Sequence, residues 1–387
     1  LSLEVADGES KTTEKYTTTP TTFVAGKSYT YQLKVGKNKI SVSGISVAPW
    51  NTGIITEGSK AEHIIPYVTF TANGEQKFKM TTNDRSYTIS GLEYSVNDGE
   101  WATVEAGTEV TFGGPHGDLR LRGINPNGTA TVWSEYSTIT FTDKNVKVAC
   151  TGDIRTLLDW RSYNIVETKN AKFCHLFNRC SVLTSAPELP ATKLADYCYY
   201  KMFYGCTSLT DAPELKATEL ADYCYNNMFA GCKSLTSAPE LKATTLAYGC
   251  YSSMFYGCTS LTTAPELKAT ELAASCYSSM FYGCTSLTDA PELKATELAA
   301  SCYDNMFYGC TKLSTVTMLA PSDQISKATR FCYNWLFNAG TDETVKSRTL
   351  KVTDEAAYTA LESYLPDNWK IGAAGTTVKK EDNAEIK

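Results

Sequence analysis

From about residue 180 to residue 313 the apolar positions recur with a step of 26 residues. Leu209, Leu235, Leu261 and Leu287 keep that step, as do Pro213, Pro239, Pro265 and Pro291. So do Cys198, Cys224, Cys250, Cys276 and Cys302, and likewise Cys180, Cys206, Cys232, Cys258, Cys284 and Cys310. Several residue types sharing one period predict a stack of coils, one coil per repeat. Within a coil the apolar positions are Leu209, Ala212, Leu215, Ala217 and Leu220, then Cys224, Met228, Phe229 and Cys232. The stretch SLTDAPEL reads as extended, and Pro213 limits its length because proline donates no ladder hydrogen bond. The stretch YCYNNMFAGC places Cys224, Met228 and Cys232 at i, i+4 and i+8, which predicts a short helix ended near Gly231.

The fold class expected is therefore α+β. A right-handed leucine-rich-repeat solenoid of short parallel strands and short helices follows an antiparallel β-sandwich domain. Residues 1–145 hold no cysteine and are rich in Thr, Ser, Val, Gly and Tyr. SYTYQLKVGKNKISVSG alternates polar and apolar residues about Gly36-Lys37-Asn38, and LEYSVNDGEWATV does so about Asn97-Asp98-Gly99; both predict hairpins. The expected divisions are a partial β segment and linker over 1–60, a sandwich of Ig or fibronectin type III kind over 61–148, and the solenoid over 149–350. A C-terminal cap over 351–372 and a flexible tail over 373–387 complete the chain. In the cap, TDEAAYTALESYLPDNW predicts a helix with Thr353 or Asp354 as N-cap and Pro366 past its end.

The chain has 14 cysteines, and their role decides much of the chemistry. Thiolate metal sites use close pairs such as C-x-x-C, usually with histidine, whereas these pairs are eight residues apart and only three histidines are present. Catalytic thiols need an electropositive, partly open setting, the opposite of an apolar stripe. Disulfides along a column of identical thiols would pair coils in twos and pinch them. Core packing is the reading adopted, since free cysteine behaves as a small buried hydrophobe.

A net charge of −6 argues against nucleic acid as a partner. No apolar run approaches the roughly eighteen residues of a membrane span. The opening LSLEVADGES has neither a basic nor an apolar signal region, and it reads as a processing boundary. His116 in GGPHG has no matching constellation, and Asn127-Gly128-Thr129 reads as a turn. No residues are nominated as catalytic, cofactor-binding or metal-binding, and a non-enzymatic protein without cofactors is expected.

The segment NMFAGCKSLTSAPELKATTLAYGCYSSMFYGCTSLT resembles the BspA-like leucine-rich repeats of bacterial surface proteins. The shared motif, MFxGCxSLTxAPEL, recurs around Cys206, Cys232, Cys258 and Cys284 and more loosely around Cys180 and Cys310. Residues 66–145 look like the β-domain that often precedes such arrays, and residues 22–53 look like the closing strands of a fimbrillin-like domain. The resemblance implies an outward-facing outer-membrane or secreted protein, often lipid-anchored, that adheres to host matrix or cell-surface proteins. A lipid anchor would lie outside this chain. Many repeats of that kind are shorter, so a ligand face is not transferable position by position.

On the extended half of each coil the candidate partner-binding residues are Asp211, Ser237, Thr263 and Asp289. Two further columns are Glu214, Glu240, Glu266 and Glu292, preceded by Glu188, and Lys216, Lys242, Lys268 and Lys294. Stacked like charges repel unless the opposite column lies beside them, so these two columns are expected to compensate one another. Tyrosines recur at 199, 225, 251, 277 and 303, and again at 204, 256, 282 and 308. Aromatic rows can stack on sugars, so the alternative functions are glycan binding by these columns or a structural spacer or fimbrial role.

Overall fold

The computed structural model describes residues 65–83 and 87–386, together with the backbone of four strands that precede them. The chain forms two compact units, residues 1–64 and 65–387. In the first, β1 (Ser2–Asp7) pairs antiparallel with β2 (Ser10–Lys15), and β3 (Lys27–Gly36) pairs antiparallel with β4 (Lys39–Pro49). The β3–β4 pair is the hairpin expected about Gly36. The rest of the segment read as fimbrillin-like lies outside the described residues.

The second unit begins with β5 (Val68–Thr71), β6 (Gln76–Thr82), β7 (Leu92–Val96), β8 (Ala102–Thr103) and β9 (Glu109–Phe112). It continues with β10 (Leu119–Gly123), β11 (Ala130–Val132), β12 (Glu135–Phe141) and β13 (Ala149–Thr151). These make a five-stranded sheet in the order β13-β5-β10-β7-β8 and a four-stranded sheet in the order β11-β12-β6-β9, all pairs antiparallel. Alternation along each strand sends one face inward, as with Leu119 and Leu121 on β10 and Phe78 and Met80 on β6. The two inward faces meet: Phe70 of the larger sheet lies 5.3 Å from Phe141 and 6.3 Å from Phe78 of the smaller. Between β7 and β8, Asn97 and Asp98 both take φ above +50°, which those residues tolerate in a tight hairpin turn.

The change of architecture near residue 148 falls inside this compact unit. Strand β13 pairs with β5, while Val148 and Asp153 at its flanks bridge in parallel to Leu183 and Glu188 of the first repeat. The smaller sheet also joins the array, since the Ile139 N–H donates to the Leu176 carbonyl. Arg122 of β10 lies between the rings of Trp101 and Trp160, 4.0 and 4.3 Å from their centroids, and pairs with Glu93 at 2.7 Å. Trp160 directly follows α1 (Thr156–Asp159), so this sandwiched cation fastens sheet to array.

The cysteine-bearing half of each coil is not the helix expected from its spacing. It is a run of overlapping turns in which every fourth residue has φ near +55° to +75°: Tyr223, Asn227 and Gly231, then Gly249, Ser253 and Gly257, then Ser275, Ser279 and Gly283. Left-handed residues at that frequency cannot belong to an α-helix. The hydrogen bonds alternate accordingly. The N–H groups of Cys224, Asn226, Met228 and Cys232 donate three residues back within their coil. Those of Tyr223, Tyr225, Asn227, Phe229 and Gly231 donate to Tyr248, Cys250, Ser252, Met254 and Tyr256 of the next coil. The turn half therefore carries the stacking. On the extended half the expected short strands reduce to isolated parallel bridges such as Leu189 to Leu215 and Ser237 to Thr263.

Inside the array each side chain packs on its own copy. Phe203, Phe229, Phe255, Phe281 and Phe307 stack with centroids 5.6–5.8 Å apart. Leu209, Leu215, Met228, Phe229, Cys224 and Cys232 are buried in their coil. At about 1.5–3 kcal/mol per large side chain, such a coil gains on the order of 10 kcal/mol, and only when a neighbour covers it.

The array closes with β14 (Thr315–Met318), α2 (Ser322–Lys327), β15 (Arg348–Val352), α3 (Glu355–Leu361) and β16 (Thr376–Lys379). The three strands form a parallel sheet, and Asp354 caps α3 by accepting from the Ala357 N–H at 2.8 Å. Residues 373–387, read from the sequence as a flexible tail, contain β16 instead. Val378 and Ile386 are buried against the core, which a polar composition did not advertise.

Candidate functional site

The extended half of the coils is the surface the sequence nominated. Asp211, Ser237, Thr263 and Asp289 are all exposed, and Ser237 bridges directly to Thr263. Thr210 donates to the carboxylate of Asp211 at 2.8 Å and Thr288 to that of Asp289 at 2.9 Å, so the same local contact recurs at both acidic positions. Nothing in the packing of the coil requires these four side chains.

The charged columns are interleaved. Lys242 contacts Glu214 of the preceding coil at 2.6 Å, Lys268 contacts Glu240 at 2.5 Å, and Lys294 contacts Glu266 at 2.6 Å. Lys216 reaches Glu214 of its own coil at 3.6 Å. The hydrogen bond from Lys242 holds Glu214 below the usual carboxylate range, and Lys268 and Lys294 do the same to Glu240 and Glu266. Glu214 in turn raises Lys242. Exposed pairs of this kind add little stability individually. Their effect is to neutralise the face along its length. Glu292, at the end of the column, is exposed, and because Leu293 pairs with Met318 the position a lysine would take in the next coil is Leu319.

The inner tyrosine column is not a platform for a ligand. Tyr199, Tyr225, Tyr251, Tyr277 and Tyr303 are at most 2% exposed, with Tyr225 and Tyr251 parallel at 5.7 Å. In the outer column Tyr256, Tyr282 and Tyr308 stack face to face at 4.5 Å, and Phe337 extends the stack at 5.0 Å. Faces within the stack are covered by neighbouring rings, and exposure is left to its two ends, Tyr256 at 42% and Phe337 at 44%. For the glycan alternative the buried inner column offers no face, and the outer column offers only its exposed ends.

All 14 cysteines are free and buried. Burial pushes the thiols of Cys198 and Cys258 up to about 12 and those of Cys206 and Cys232 well above their ordinary value. Cys206, Cys232, Cys258 and Cys284 each donate to the carbonyl of a phenylalanine in the preceding coil at 3.1 Å. Such thiols are packing groups with a weak donor. Among the described residues no cluster of three or more His, Cys, Asp or Glu could hold a metal ion, and no helix is long and apolar enough to cross a membrane.

Sequence reasoning missed one feature. A cavity of about 560 Å³ opens where the turn carrying Trp133 meets Lys169, Asn170, Lys172, Asp196 and Tyr197. These positions are scattered along the chain, and the only signal was an unpaired aromatic residue, Trp133, in a turn sequence.

Residues 175–289 and 225–338 match the family model of the BspA type leucine-rich repeat region, in six copies. No curated protein and no solved structure matched the chain.

Proposed function

We propose, from the premise that this chain is a BspA-like leucine-rich-repeat protein, that it is a non-enzymatic interaction protein of a cell surface. Its coils are taken as a right-handed solenoid preceded by a sandwich of two sheets. The ligand is a protein of a host matrix or of a neighbouring cell, and it docks on the extended half of the coils. The observation that carries this reading is the column Asp211, Ser237, Thr263 and Asp289. It is exposed, in register and unused by the fold, and its charged neighbours at 214, 240 and 266 are already paired. A neutralised surface costs less to desolvate, so specificity falls to the positions that vary from coil to coil. An outward location accompanies the proposal.

The test is surface plasmon resonance of the full chain against immobilised matrix proteins and cell-surface ectodomains. Asp211→Arg with Asp289→Arg should weaken any partner found by at least about tenfold, a change of about 1.4 kcal/mol. Tyr333→Ala, at an exposed ring beside Arg330, should leave binding unchanged. Equal binding by the double variant would remove the extended face as the docking site.

A further inference from the structure

We propose that the cavity beside Trp133 is a saccharide-binding subsite selective for a sugar that bears a carboxylate. Its volume of about 560 Å³ lies within the roughly 300–1,000 Å³ of small-molecule sites. Trp133 sits in the turn between β11 and β12 with 51% of its surface exposed, although a large indole gains most when covered. Its ring lies 6.5 Å from Tyr197, tilted by 33°, so the two form an open angle rather than a closed stack. Tyr197 is braced from behind by Tyr223, parallel within 15° at 5.0 Å, and Tyr223 by the edge of Tyr248 at 5.1 Å. The platform is therefore rigid. Here an aromatic face is left for a ligand.

A pyranose has the matching chemistry: one face of C–H groups that rests on an indole, and a rim of hydroxyls that needs donors and acceptors. Lys169, Asn170, Lys172 and Asp196 supply that rim. The side chains of Lys169 and Asn170 make no hydrogen bond or ion pair among the described residues. One Asp196 oxygen already accepts from the Asp222 N–H at 3.1 Å. The lining thus has two lysines against one engaged carboxylate, in a chain whose net charge is −6, and this excess selects an anionic sugar. An extended peptide fits less well, because the backbone around the cavity is committed. The Lys172 N–H donates to Asn127, its carbonyl accepts from Thr129, and the Tyr197 N–H donates to Asp222. Little main chain remains to pair with a strand, and recognition is left to side chains.

This subsite does not depend on the docking face of the coils. The full chain is screened by saturation-transfer NMR against glucuronic acid, N-acetylneuraminic acid, galactose and a pool of short acidic peptides, and the affinity of each binder is then measured by calorimetry. At least one acidic sugar should bind, and Trp133→Ala should weaken it by about tenfold. Lys169→Ala should weaken the acidic sugar more than any neutral one, while Tyr333→Ala has no effect. Asp211→Arg with Asp289→Arg should keep sugar binding, so failure of either site is read separately. Absence of transfer to every sugar, binding unchanged in Trp133→Ala, equal affinity for galactose, or capture of the peptides alone would each overturn the proposal.

Discussion

His175 is the one histidine of the repeats, and its surroundings hold it neutral. It is 7% exposed, its ring stacks on Tyr136 at 3.9 Å, and its Nδ1 has no hydrogen-bond partner among the described residues. Burial, helped by the charge of Lys201, lowers its pKa from 6.5 to about 4. Below pH 6.5 the unfolded chain takes up a proton that the folded chain refuses. The stability contribution is therefore full above 6.5 and falls as pH drops toward 4, by at most about 3 kcal/mol. His175→Asn keeps a residue suited to φ +60° and removes the titration. Urea midpoints at pH 7.5 and 5 should fall less for this variant than for the parent chain; parallel falls would refute the assignment. The cysteines at the same scale were legible beforehand, because an apolar period names buried positions whatever backbone presents them. The tyrosines beside them were legible only in part: their packing role followed from position, and the complete burial of the column from Tyr199 to Tyr303 did not.

At the scale of the element, the turn half of the coil teaches most. Cys224, Met228 and Cys232 recur every four residues, and a helix and a four-residue turn repeat both put such positions on one side. What separates them is the residue between. Asn227, Ser253, Ser279 and Asn305 sit at φ near +55°, with Gly205, Gly231, Gly257, Gly283 and Gly309 closing each run at about +70°. Small polar residues and glycine at every fourth position are the signal in the sequence that favours turns over a helix. The left-handed region costs a branched side chain about 1–2 kcal/mol and costs glycine almost nothing. Ser279→Val should therefore lower stability by about that amount in chemical denaturation, and Ser279→Gly should be neutral or slightly stabilising. If valine is tolerated as well as glycine, the left-handed conformation is not what shapes the coil.

For the second unit as a whole, the array is closed at both ends by different means. At the start, both sheets bond directly to the first repeat through Val148, Asp153 and Ile139. At the end, Arg348 gathers loose carbonyls: it donates to Gly340 at 3.0 Å, to Asn368 at 2.9 Å and to Ala374 at 2.7 Å. Removing the guanidinium leaves the carbonyl of the buried Gly340 without this donor, which costs about 1–3 kcal/mol where water cannot replace it, whereas Ala374 is exposed and Asn368 still accepts from Thr376. In a stack where coils contact only neighbours, that loss should act locally. Hydrogen exchange in Arg348→Ala should accelerate first in residues 340–386 and leave residues 92–141 protected. Uniform acceleration throughout would show instead that the whole unit opens as one body.

By itself the sequence determined the period, the buried positions, the turn at Asn97 and Asp98, a helix cap at Thr353 or Asp354 and the repeat type. Each of these rests on local chemistry or on simple recurrence. Tertiary structure alone decided that the coil backs are turns. A coil has no interior until its neighbour supplies one, and the bonds that hold the turns run to the next coil. It also decided the cleft at Trp133, because only folding brings residues 133, 169–172 and 196–197 to one place.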